Sequence, residues 1–148
     1  MLIRVLEIIK AIDSNQPIPR DAGAWLARGF IRCMQEGELL HKTLNLSRLK
    51  YQYLLSIRDK HLYAAWLLTD ETLSDWQRAG ELIIKIERFK LGRWSKVQFL
   101  AAPPSNVSPL NRCLFYALKT GIKIPTTVRQ VNNIVKSIRK VNFHNPVV

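Results

Sequence analysis

The residues best suited to a recognisable chemistry lie in GIKIPTTVRQVNNIVKSIRK, residues 121–140. After Pro125 the apolar side chains Val128, Val131, Val135 and Ile138 recur at helical spacing, which leaves Arg129, Gln130, Asn132, Asn133 and Lys136 facing outward. Arg pairs bidentately with guanine, Asn and Gln pair with adenine, and Lys chiefly meets phosphate. Thr126 is a natural N-cap, whose first-turn amides would point at a phosphate. Lys123 precedes that turn, and Arg139 and Lys140 would continue along a nucleic-acid backbone. The competing physical reading is a basic, well-solvated helix that only covers a core.

No comparable case exists for catalysis. His41, His61 and His144 have no metal-ligand spacing with one another or with Cys33 and Cys113. Asp70, Glu71 and Asp75 flank a helix start, where carboxylates favour the macrodipole. No phosphate-binding glycine loop or nucleophile elbow occurs, and the two S-x-x-K matches, Ser47–Lys50 and Ser137–Lys140, lack partner motifs. The expectation is a non-enzymatic protein without cofactor or metal. Trp94, Phe99, Phe115 and Tyr116 stand among basic residues and could stack bases, although such spacing more often marks a core.

Positioning a recognition helix requires a partner helix at a sharp angle. Ala117 and Gly121 have the small-residue and turn-glycine spacing of a helix–turn–helix, with Leu110, Cys113, Leu114 and Leu118 as the apolar face of the first helix. The turn GIKIP is about one residue longer than the usual form. A second candidate, ELLHKTLNLSRLKYQYLLS, carries His41 where a small residue is wanted and is less basic.

The remaining segments are also helical by period. A first helix spans about 2–12, with Leu2, Val5, Leu6, Ile9 and Ile12 on one face, and DSNQPIP ends it. A second covers about 20–35, with Ala22, Trp25, Leu26, Phe30 and Cys33 on one side and Gly37 as its stop. A short helix over 38–44 precedes a long one that Ser47 would cap, apolar on two sides and so central. Ser74 and Gln77 form a capping box before a helix with Ala79, Leu82, Ile83, Ile86 and Phe89 in register. Residues 94–100 read as extended. The expected fold is an all-α compact multi-helix domain ending in a helix–turn–helix-like hairpin: a core over 1–100, a Pro-rich linker over 101–108, the basic hairpin over 109–141 and a tail over 142–148.

Charge supports a polyanionic partner. The net charge is +12, yet residues 88–148 hold 11 Lys/Arg and no Asp or Glu. Such asymmetry between halves points to a polyanionic partner, and the hairpin's outward residues make that partner nucleic acid, DNA before RNA. An acidic protein docked on the basic face is the alternative, and a homodimer is compatible with either. At 148 residues and 47% hydrophobic composition the chain can bury a core, and no apolar run reaches a membrane span. The interrupted N-terminus MLIRVLEIIKAID and the two widely separated cysteines suggest a cytoplasmic protein with reduced thiols.

Overall fold

A computed structural model describes the backbone of residues 2–144 and the side chains of residues 3–141. Every regular element among them is helical: α1 (Leu2–Asp13), α2 (Arg20–Glu36), α3 (Leu40–Thr43), α4 (Leu46–Leu67), α5 (Asp75–Phe89), a π turn (Lys90–Trp94), α6 (Ser95–Val97), α7 (Pro109–Lys119) and α8 (Val128–His144). The chain divides between Tyr53 and Leu54, inside α4, into two compact units.

In the first unit α1 packs on α2, and α2 on α3. The expected apolar face of α1 is not the buried one. Ala11 is buried and Val5 and Ile8 are half-buried, whereas Leu6, Ile9 and Ile12 are exposed together with Ile3. The side chain of Leu2 lies outside the described ones. Along α2 the covered side is Ala22, Trp25, Leu26, Gly29 and Cys33, with Phe30 turned out. Gly29 is needed for a close approach, since a Cβ there would stand 2.1 Å from Cδ2 of Leu44. Helix α4 begins at Leu46, so Ser47 is inside it rather than capping it. Asn45, at φ 52°, makes the turn.

The second unit is built around α5, against which both α7 and α8 pack. The capping box forms as expected: Gln77 N donates to Ser74 Oγ, and Gln77 Oε1 accepts from Ser74 N at 3.0 Å. These bonds satisfy two of the amides that every helix start leaves open. Ala79, Leu82, Ile86 and Phe89 bury one face of α5 with Leu62, Ala65 and Trp66 of α4, Leu114, Phe115 and Ala117 of α7, and Val131 and Val135 of α8.

The segment expected to be extended continues the helix instead, through the π turn into α6, and regular structure then lapses until Ser108 caps α7. Ala117 is fully buried and Gly121 has φ +70°, as the Ala-x-x-x-Gly spacing demands. The hairpin itself differs from expectation. Residues 120–127 separate α7 from α8, a much longer connection than the 3–4 residues of a helix–turn–helix, and the principal partner of each helix is α5. Helix α8 also runs past 141 to His144, and residues 145–148 of the expected tail lie outside the described residues.

Candidate nucleic-acid interface

Helix α8 keeps Val131 and Val135 in the core, and this fixes where its polar side chains point. Arg129, Asn133, Lys136 and Lys140 are exposed and follow one another at i, i+4, i+7 and i+11, a single stripe. Across from the stripe lies the first turn of α5. Asp75 and Trp76 together with Arg129, Asn132, Asn133 and Lys136 line a groove of about 610 Å³. Trp76 is 61% exposed, an unusual position for a tryptophan with no cover.

Several expected contacts are redirected. Asn132 does not face outward: it is only 7% exposed, because its neighbours one helical turn away on either side, Val128 and Val135, belong to the packed face. Its side chain still lines the groove, and among the described residues the buried side-chain atom left without a hydrogen-bond partner is Trp66 Nε1, not an atom of Asn132. The cap of α8 is Thr127 rather than Thr126. Gln130 N donates to Thr127 Oγ1 at 3.3 Å, and Gln130 Oε1 accepts from the amides of Thr126 and Thr127 at 2.9 and 3.3 Å. Gln130 therefore serves the helix start, and the amides of Thr126, Thr127 and Gln130 are already bonded.

Arg139 is also committed. It donates to both carboxylate oxygens of Asp75, at 2.6 and 3.3 Å, and its guanidinium stands 4.8 Å from the ring centre of buried Trp66. The Asp75 carboxylate holds the Arg139 pKa above its ordinary value. Arg78 lies 3.8 Å from the centre of the same ring and donates to the Trp66 and Leu67 carbonyls at the end of α4. Asp75 thus stands in the first turn of α5, as expected of a carboxylate at a helix start, and also pairs with a cation. Lys123 is exposed in the 120–127 segment, where its carbonyl accepts from Arg58.

The aromatic residues suggested for stacking are mostly structural. Phe115 is buried, Trp94 meets it edge-on at 5.8 Å, and Tyr116 stacks on His61 at 5.2 Å. Phe99 alone of the four is strongly exposed. Sequence reasoning missed Trp76, which falls at i−3 from Ala79 and so reads as part of the core stripe of α5. Burial lowers the His61 pKa and raises that of the Cys113 thiol, which makes neither group more reactive near neutrality. Among the described residues no group of three His, Cys, Asp or Glu side chains could hold a metal, and no helix is long and apolar enough to cross a membrane.

No protein-family model matches the chain, and no curated protein and no solved structure shows significant similarity to it.

Proposed function

We propose that the chain is a non-enzymatic nucleic-acid-binding protein whose interface is the α8 groove, and that it takes single-stranded nucleic acid there. The observation that carries this reading is Trp76, 61% exposed on a groove that Asn132, Arg129 and Lys136 also line. An unpaired base can stack on Trp76, present its edge to Asn132 and leave its flanking phosphates to Arg129 and Lys136. A duplex hides base faces, so Trp76 would contribute nothing to it.

The opposing reading, duplex DNA read by the exposed Arg129, Asn133 and Lys136 stripe, draws on the helical spacing of those side chains. Titration of a mixed-sequence single strand and the matching duplex with the folded protein separates the two. Trp76→Ala is expected to cost about 1–3 kcal/mol on the single strand and nothing on the duplex. Equal affinity for both forms, with no effect of Trp76→Ala, would transfer the function to duplex binding. If neither form binds, docking of an acidic protein on this basic face becomes the better account.

A further inference from the structure

A second concavity in the same unit, also about 610 Å³, opens where α5 runs out through the π turn opposite the start of α7. Its wall carries Lys85, Arg88, Arg93 and Lys96 and no carboxylate. Lys85 is bound to Glu81 at 2.6 Å. Arg88, Arg93 and Lys96 are exposed, and none makes a side-chain hydrogen bond or ion pair among the described residues. Three like charges around one hollow repel each other, and nothing on its wall compensates them. An anion would.

The π turn accounts for how these cations come to share one hollow. In an uninterrupted α-helix five steps of 100° would carry Arg93 about 140° round from Arg88. The wider turn over Lys90–Trp94 advances less per residue and so brings Arg93 back toward the Arg88 side. Such turns recur at functional sites. The start of α7 faces the same hollow, with Ser108 capping it and Pro109 at its first position, and adds the positive end of a helix dipole. Phe89 and Leu110 supply an apolar patch to an otherwise polar wall. The volume lies within the roughly 300–1,000 Å³ typical of small-ligand sites.

We infer that this concavity binds a cluster of phosphates, with Arg88, Arg93 and Lys96 as its cationic contacts. Planar guanidinium groups bind phosphate oxygens bidentately, and two of them with an ammonium suit a ligand bearing several charges within a few ångströms. The phosphates come either from a free oligophosphate or from consecutive positions of a nucleic-acid strand. The inference is independent of the α8 groove, since the two sites share no residue.

The test is calorimetric titration of the full-length protein with inorganic triphosphate, and in parallel with a mixed-sequence single-stranded oligonucleotide. The variants are Arg88→Gln/Arg93→Gln, Trp76→Ala for the other groove, and Arg112→Gln as an exposed cation outside both. Circular dichroism checks that each is folded. Triphosphate should bind saturably at one site, and the double variant should weaken it by about tenfold or more, the worth of one charge-assisted contact. Trp76→Ala and Arg112→Gln should leave it unchanged. If the double variant also weakens the oligonucleotide, strand phosphates occupy the site; if oligonucleotide affinity is untouched, the ligand is a free oligophosphate. Absence of saturable triphosphate binding, or equal losses in Arg112→Gln and the double variant, would overturn the inference.

Discussion

Arg139 has two carboxylate oxygens and an indole face within reach before any ligand arrives. Its ion pair with Asp75 is partly exposed on both sides, so it contributes little, roughly 0.2–1 kcal/mol. Stacking on Trp66 adds about 0.5–1 kcal/mol. Arg139→Ala is accordingly expected to lower unfolding free energy by about 1–2 kcal/mol in denaturant titrations. It should leave the nucleic-acid affinity of the folded fraction unchanged, and a loss of affinity without a loss of stability would instead make Arg139 a phosphate contact. Residue types along 121–140 announced a polar, basic helix correctly, but not which polar groups are spent inside the protein. Asn132 is instructive, because its spacing from Val128 and Val135 already puts it on the packed face. Residue type suggested a base reader and obscured that geometry. Trp76 shows the opposite effect: its spacing from Ala79 suits the core, yet it stands exposed on the groove beside α8.

At the level of elements, local signals identified helices well where capping and period agreed. Ser74, Gln77 and the stripe from Ala79 to Phe89 specify α5 in this way, and Ser108-Pro109 specifies the start of α7. The stretch after Phe89 is hard to read from sequence because Gly92 and the following Val97 and Phe99 weaken helical propensity, while the π turn keeps the chain helical without the 3.6 period. The close approach of α2 to Leu44 was equally hidden, since a glycine inside a helix shows no sign of what it faces. Gly29→Ala would gain about 1 kcal/mol of helix propensity but must displace Leu44, a conflict of roughly 1–3 kcal/mol. Gly23 offers the control, because a Cβ there would meet Cγ2 of Ile18 at 3.8 Å, an ordinary contact. Thermal and denaturant unfolding should find Gly23→Ala stabilising by about 0.4–1 kcal/mol and Gly29→Ala lower than Gly23→Ala by at least the cost of moving Leu44. Equal stabilisation by both would mean that Leu44 moves away freely and that the glycine is not required.

For the whole molecule, charge is the property with the longest reach. Residues 54–148 hold 15 Lys/Arg against 6 Asp/Glu, a net +9, whereas residues 1–53 hold 8 against 5, a net +3. A polyanion is therefore drawn chiefly to the second unit, and the rate of encounter depends on its total charge. The salt dependence of equilibrium binding has a narrower origin, the counterions released by phosphates in direct contact, about 0.7 per contact on a single strand. The two quantities distinguish a built interface from diffuse attraction. Lys136→Ala and Arg129→Ala should each flatten the slope of log affinity against log salt by about 0.7. Arg112→Ala, on an exposed cation outside the groove, should slow association slightly at low salt and leave the slope alone. Trp76→Ala should lower affinity at every salt concentration with the slope unchanged, because stacking releases no ions. Stopped-flow and equilibrium titrations over a range of salt measure all four effects. Identical slope changes in Lys136→Ala and Arg112→Ala would mean that the strand lies on no particular face, and the α8 groove would then have no claim to be the interface.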